Sequence, residues 1–275
     1  MTPRTIQRII QSIPASDGAG VKLRRSLGQS QYARLDPFLM LDEFSSDDAA
    51  DYIAGFPAHP HRGFETVTYI LDGHMLHEDH LGNKGNLKSG GVQWMTAGRG
   101  IIHSEMPQQD RGRMRGFQLW INLPAKDKMK PASYRDLEAG DIPEVALPGG
   151  GKVRVIAGEY AGTRPAVSAG ATDATYFDVH LPAGVTFTHA VKDGYNAFAY
   201  LYEGALEGIP EHSAAVFSTE GEVQVKAGAQ GARFLLLAGR PLREPVVQYG
   251  PFVMNTREEI EQAIRDYQNG TLATA

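Results

Sequence analysis

Residues 56–107 read FPAHPHRGFETVTYILDGHMLHEDHLGNKGNLKSGGVQWMTAGRGIIHSEMP, and they carry the strongest structural signal in the chain. The stretch opens with His59 and His61 and closes with His103 and Glu105, and one residue separates the members of each pair. Residues two apart in a β-strand point to the same face of the sheet. If the two strands are neighbours in a closed barrel, this spacing predicts that all four side chains converge on one point.

Three imidazoles and one carboxylate suit a divalent transition metal such as iron, copper, nickel or zinc, and they suit magnesium or calcium poorly. An octahedral ion with four protein ligands keeps positions open for water, substrate or dioxygen. Glu105 could hold charge on the ion, or leave it and accept a proton as a general base. The structural alternative is that His59 and His61 are polar residues at a strand start and His103 is a hydrogen-bonded core residue.

Other polar residues near the two pairs have more than one interpretation. Glu65 lies four residues after His61 and could be a fifth ligand, a partner that holds an imidazole tautomer, or a hydrogen-bonded residue at the barrel mouth. His74, His77 and His80 form a second histidine cluster, which we predict to lie mostly at the surface. The neighbouring Arg62 and Arg99 could orient an anionic ligand, but we expect both to donate to turn carbonyls.

The composition excludes several classes of site and location. The 275 residues include no cysteine, which excludes disulfides, iron–sulfur clusters, cysteine zinc sites and thiol nucleophiles. A net charge of −5 with interspersed signs predicts no direct binding to nucleic acid. No apolar run approaches the roughly 20 residues of a membrane span, and the N-terminus lacks the apolar core of a secretory signal. We therefore expect a cytoplasmic protein without membrane contact, and we separately expect it to be a monomer.

Strand-like segments dominate the rest of the chain. The run ETVTYIL at residues 65–71 is rich in β-branched and aromatic residues and ends at an Asp-Gly turn. Similar short segments at regular spacing predict a sandwich or barrel. Residues 124–148 are charged and interrupted by proline, which predicts a linker with at most one helical turn. Thr256 and Glu259 form a capping-box pattern that predicts a C-terminal helix ending before Gly270.

The two halves of the chain show weak internal similarity. His59 and His189 precede the similar segments YILDG and YLYEG. His189 is followed by Ala-Val, with no second histidine two residues on and no later His-x-Glu in that half. We predict two domains: residues 1–140 form an N-terminal barrel with the metal site, and residues 141–275 form a C-terminal barrel without metal that ends in the helix. One metal ion per chain is expected.

Five blocks carry a family resemblance: LDPFLMLDEF, HPHRGFETVTYILDG, GGVQWMTAGRGIIHSEMP, FQLWINLP and GPFVMNTREEIEQAI. With these blocks, which span nearly the whole chain, the sequence resembles the pirins of the cupin superfamily. The resemblance implies an all-β fold of two tandem cupin barrels, of the double-stranded β-helix or jelly-roll type, with a C-terminal α-helix. It also implies a single iron in the N-terminal barrel, held by His59, His61, His103 and Glu105.

The resemblance implies two classes of function. Some pirins resemble flavonol dioxygenases, which open the central ring of quercetin and release carbon monoxide. On that model the 3-hydroxyl of the flavonol occupies the open metal position, Glu105 takes its proton and dioxygen attacks the activated ring. The expected ion is Fe(II), although zinc, nickel, copper or manganese could occupy the site in purified protein.

The alternative implied function is regulatory. Other pirins are metal- or redox-dependent regulators that bind a transcription factor or a metabolic enzyme. A third interpretation, a structural protein with two cupin barrels and no metal, predicts that no ion accompanies the purified chain.

Overall fold

The computed structural model describes residues 2–168 and 170–274, and this part of the chain is mainly β. Short β-branched and aromatic runs form the strands, and glycine-containing turns separate most of them. The strands of the first half are β1 (Ile6–Gln11), β2 (Ile13–Asp17), β3 (Val21–Arg25), β4 (Phe38–Ser46), β5 (Phe56–His61), β6 (Phe64–Asp72), β7 (His74–Asp79), β8 (Lys84–Lys88), β9 (Val92–Thr96), β10 (Ile101–Pro107) and β11 (Met114–Asn122).

The second half continues the β architecture and ends in the α-helix. Its strands are β12 (Ser133–Leu137), β13 (Glu144–Ala146), β14 (Lys152–Ala157), β15 (Thr175–Leu181), β16 (Thr186–Ala190), β17 (Asn196–Leu206), β18 (Ser213–Phe217), β19 (Glu222–Gly239), β20 (Val247–Tyr249) and β21 (Phe252–Met254), and the helix is α1 (Arg257–Gln268). Single 3-10 turns lie at Gln31–Ala33, Ala49–Asp51, Ala125–Asp127, Ala139–Asp141 and Gly170–Thr172. The predicted all-β class with one C-terminal helix is confirmed.

The chain folds into two compact units, and each is built from several segments. The histidine unit comprises residues 14–25, 38–139 and 242–274, and the second unit comprises residues 2–13, 26–37, 140–168 and 170–241.

The histidine unit is a sandwich of two antiparallel sheets. One sheet has the strand order β12-β9-β6-β11-β4-β3-β2, and the other has the order β5-β10-β7-β8. Phe44 and Ile70 from the first sheet pack in one buried cluster with Met75 and Leu87 from the second. Because apolar side chains of both sheets fill the space between them, each sheet buries one face, as in other jelly rolls.

The second unit has the strand order β1-β18-β17-β19-β15-β14-β13, and β16 pairs with β19 outside this path. Strand β19 is long: its first part pairs with β16, and its later part pairs with β15 and β17. Phe177, Phe187 and Phe234 contribute to the buried cluster between these strands. One continuous strand therefore takes part in both layers around this core.

The observed units differ from the predicted domains, residues 1–140 and 141–275, at both ends of the chain. The N-terminal segment belongs to the second unit, because β1 pairs with β18 and the buried Arg4 lies in that unit. The Arg4 guanidinium donates to five backbone carbonyls at 2.8–3.1 Å, those of Val191, Lys192, Tyr195, Ser218 and Gly221. The predicted linker at residues 124–148 also contains two strands, β12 and β13, which pair with β9 and β14.

The C-terminal helix belongs to the histidine unit and not to the second unit. Thr256 and Glu259 form the predicted capping box at its start. Its Asp266 accepts a hydrogen bond from Nη1 of the buried Arg62 at 2.7 Å, directly after the end of β5. No helix in the described ranges has the length and apolar character needed to cross a membrane.

We expect Arg62→Met to lower the free energy of unfolding by about 2–3 kcal/mol. The change removes a buried guanidinium that is the charged partner of Asp266. Removal of one partner of a fully buried ion pair usually lowers stability by somewhat more than about 2–3 kcal/mol. Asp266 reaches solvent, so part of the cost is relieved. Chemical denaturation measures the change, and Arg265→Met on the exposed face of the same helix, where the pair with Glu261 is 3.9 Å long, is the matched control. An equal effect of both changes would contradict this role.

A second stability prediction concerns His189 in the second unit. Burial, with a smaller contribution from Arg4, lowers the pKa of His189 from 6.5 to about 4. The unfolded chain therefore binds a proton below pH 6.5 that the folded chain does not, so stability falls as the pH drops from 6.5 towards 4. Between pH 7 and pH 5 we expect His189 to account for a loss on the order of 2 kcal/mol.

The measurement is denaturant unfolding at pH 7 and pH 5 for the wild type and His189→Phe. The phenyl ring suits a position that contacts the rings of Tyr160 and Phe177. The variant is expected to lose less stability than the wild type between the two pH values. Identical losses would show that His189 does not titrate as described.

Candidate metal centre

Two paired strands carry the predicted ligands. β5 and β10 are antiparallel neighbours, with His103 opposite His59 and Ile101 opposite His61. The two strands are therefore neighbours, which is the condition under which the spacing predicts convergence of the side chains. His59 and His61 lie on one face of β5 because they are two residues apart, and His103 approaches them from the neighbouring strand.

The structure brings the three histidines together. One ring nitrogen from each of His59, His61 and His103 lies within 4.8 Å of the other two. The Nε2 atoms of His59 and His61 are 3.0 Å apart, and the ring centroids of His59 and His103 are 4.4 Å apart. His61 and His103 are buried, and His59 is partly exposed. This group of nitrogens could hold one metal ion.

The electrostatic setting keeps two of these imidazoles neutral. Burial, with a smaller effect of the neighbouring histidines, holds the pKa values of His61 and His103 well below the usual 6.5. Each ring therefore keeps a lone pair near neutral pH. A neutral imidazole is the form that binds a transition metal.

The hydrogen bonds of the histidine rings indicate which ring nitrogens are free to bind a metal. Nδ1 of His59 lies 2.8 Å from the carbonyl of Pro57, so Nδ1 carries the proton and Nε2 is left as an acceptor. Nε2 of His103 is buried and has no hydrogen-bond partner among the described residues. Buried polar atoms rarely lack a partner. The unpartnered nitrogen and the donor set both fit a divalent transition metal.

Glu105 occupies a different position from the three histidines. Its carboxylate is not part of the group of atoms within 4.8 Å. Oε1 lies 2.9 Å from the Thr68 hydroxyl, and Oε2 lies 3.2 Å from Nε2 of Gln118. The register of β10 shifts between His103 and Glu105, and such irregularities redirect side chains. The structure thus brings three of the four predicted ligands together and holds the fourth on Thr68 and Gln118.

Glu65 is buried and hydrogen-bonded outside the histidine group. Its Oε1 accepts a hydrogen bond from the Thr96 hydroxyl at 2.7 Å and lies 3.6 Å from Nζ of Lys130. Of the alternatives that the sequence left open, this geometry fits the hydrogen-bonded residue.

The second histidine cluster differs from its prediction. His77 is only 2% exposed, and its Nδ1 lies 3.3 Å from Nδ1 of His103. His74 is partly exposed and hydrogen-bonds to Asn86, and His80 is exposed and hydrogen-bonds to the carbonyl of Ala273. The surface prediction is therefore wrong for His77. The two-residue alternation of β7, in which Met75 and His77 are both buried, was the signal for it.

The turn after His61 is tightly held. Gly63 has a φ of +91°, and a Cβ there would lie 2.0 Å from the carbonyl oxygen of Val253. The buried Lys128 donates to the carbonyls of Gly63 and Val253 and to Asn122, and burial lowers its pKa to about 8. Lys128 lies in the predicted linker, where no local pattern indicates a buried lysine. Arg62 donates to the carbonyl of Arg99, as expected for a structural arginine.

Comparisons with known proteins agree with this architecture. The Pirin family model matches residues 20–121, and the model of the Pirin C-terminal cupin domain matches residues 176–273. A Pseudomonas aeruginosa protein named "Putative quercetin 2,3-dioxygenase" is 58% identical over 271 residues, covering 94% of this chain and 95% of that protein. A pirin-like protein of Caulobacter vibrioides is 51% identical over 274 residues, covering 98% and 99%.

A solved structure shows the same fold. The crystal structure of a quercetin 2,3-dioxygenase from Acinetobacter baumannii aligns with a TM-score of 0.91 at 35% identity, and the alignment covers 98% of this chain and 99% of that one. The two family models together match well over half of the 275 residues. The chain accordingly contains two cupin domains and belongs to the pirin family.

Proposed function

We propose that this pirin is a mononuclear metal-dependent dioxygenase that opens the ring of a flavonol such as quercetin. The observation that carries the proposal is the convergence of three histidine nitrogens, with Nε2 of His103 buried and unpartnered. The names of the Pseudomonas and Acinetobacter relatives support the substrate class. The substrates are a small aromatic enol and dioxygen.

His59, His61 and His103 would hold the ion, and Glu105 would complete the ligand set. Fe(II) is the ion we propose, because mixed imidazole and carboxylate sites with open positions are typical of non-haem iron oxygenases. When bound, the ion would supply Lewis-acid activation of the flavonol hydroxyl and reactivity with dioxygen.

Glu105 accepts the proton of the flavonol 3-hydroxyl. Thr68 and Gln118 fix its carboxylate by hydrogen bonds. Among the residues that the structure describes, Oε2 accepts only from Gln118, so it keeps lone pairs for the proton. Because Glu105 is buried, the proton moves away from bulk solvent. The overall reaction consumes one dioxygen and converts the flavonol into a ring-opened ester and carbon monoxide.

Anaerobic titration with quercetin tests the binding step before any turnover. The Fe(II)-loaded protein is expected to shift the flavonol absorbance to longer wavelength, because loss of the 3-hydroxyl proton extends the conjugated anion. Metal-free protein and Glu105→Gln serve as comparisons and should show little of this shift. An equal shift with metal-free protein would contradict the proposed role of the metal.

A further inference from the structure

His77 lies next to the proposed metal centre but is not one of its proposed ligands. Strand β7 pairs with β10 on the side away from β5, and His77 lies opposite Glu105 in this pairing. The ring centroids of His77 and His103 are 4.9 Å apart, and their Nδ1 atoms are 3.3 Å apart. The two rings therefore meet through their Nδ1 atoms, which leaves Nε2 of His103 without a partner among the described residues.

The proton between the two Nδ1 atoms can belong to either ring. If it belongs to His77, a neutral His103 carries its own proton on Nε2, and that nitrogen cannot bind a metal. If it belongs to His103, Nε2 of His103 has a free lone pair and Nδ1 of His77 is the acceptor. Only the second arrangement is compatible with coordination through Nε2 of His103.

We propose that His77 is a positioning residue that accepts the Nδ1 proton of His103 and thereby fixes the tautomer and orientation of that imidazole. This inference rests on the proposed metal site. Residues that hold the remote nitrogen of a metal-bound histidine usually improve metal affinity by 10- to 100-fold. The ring of Tyr134, with a centroid 5.7 Å from that of His77, packs beside it.

The tautomer proposed for His77 lowers the stability of the folded protein, which a residue with a purely structural role would not do. When Nδ1 of His77 is the acceptor, its proton lies on Nε2, and this buried atom has no hydrogen-bond partner within residues 2–168 and 170–274. An unpaired buried donor opposes folding. An apolar ring at this position should therefore leave the stability of the metal-free protein unchanged or raise it.

Two variants separate positioning from packing. His77→Phe keeps a ring beside Tyr134 and removes the acceptor, whereas His77→Asn places a carbonyl oxygen near the former Nδ1. Nickel affinity, measured by competition with a chromophoric chelator, is expected to fall 10- to 100-fold in His77→Phe and to stay within a few-fold of wild type in His77→Asn. His74→Asn, on the same strand but partly exposed, should keep the wild-type affinity.

Long-range proton–nitrogen NMR of the zinc-loaded protein reads the tautomers directly. We expect His77 to carry its proton on Nε2 and His103 on Nδ1. Wild-type nickel affinity in a folded His77→Phe variant, or a His77 proton on Nδ1, would overturn the inference while leaving the metal site in place. Failure of the wild type to bind nickel or zinc would instead overturn the proposed metal site, and the inference with it.

Discussion

Glu105→Gln is expected to lower flavonol turnover of the Fe(II)-loaded protein by about 10²- to 10⁴-fold, the usual contribution of a general base. Glutamine has nearly the same shape, so contacts with Thr68 and Gln118 can persist, but an amide cannot accept the proton at neutral pH. Because three imidazoles remain, the variant should keep much of its metal. Turnover is read as loss of flavonol absorbance under air at matched iron content.

The matched control is Glu65→Gln, which changes another buried carboxylate of the same unit. Glu65 accepts a hydrogen bond from Thr96 and lies outside the histidine group. The turnover of Glu65→Gln should therefore remain within a few-fold of wild type. If Glu105→Gln retained turnover within a few-fold, Glu105 could not be the base.

His61→Ala is expected to leave the purified protein nearly free of metal. His61 is buried, and its Nε2 lies 3.0 Å from that of His59. The alanine substitution therefore removes one of the three nitrogens that would bind the ion. Loss of a ligand should lower metal affinity by more than the 10- to 100-fold typical of residues that only support a ligand. Elemental analysis after equilibration with one equivalent of Fe(II) or Ni(II) gives the occupancy.

His189→Ala is the control for this experiment, since His189 aligns with His59 in the internal similarity but lies in the second unit. It should keep full occupancy. Full occupancy in His61→Ala as well would place the ion elsewhere in the protein.

Local patterns predicted much of the site and of the helix. The two-residue spacing in β5 and β10 identified the three histidines that the structure brings together, because strand alternation is a strong geometric rule. The Thr256 capping box identified the start of α1, because the hydrogen bonds that define it lie within four residues.

Features that depend on distant residues were not predicted. The carbonyls that accept hydrogen bonds from Arg4 lie at residues 191–195 and 218–221, far from Arg4 in the sequence. The residues around Arg4 therefore do not indicate that the N-terminal segment belongs to the second unit. Strand β12 is mostly exposed or half-buried, which gives it a weak apolar pattern. The irregular register before Glu105 likewise has no sequence signature. The hydrogen bonds of the Glu105 carboxylate with Thr68 and Gln118 therefore could not be predicted.

The most direct test of the dioxygenase proposal is carbon monoxide release after anaerobic reconstitution with Fe(II) and addition of quercetin and then oxygen. We expect one carbon monoxide for each flavonol consumed, with no release from metal-free protein and strongly reduced release from Glu105→Gln. Stoichiometric iron without any loss of flavonol would contradict the enzymatic account and favour a metal-dependent regulatory protein.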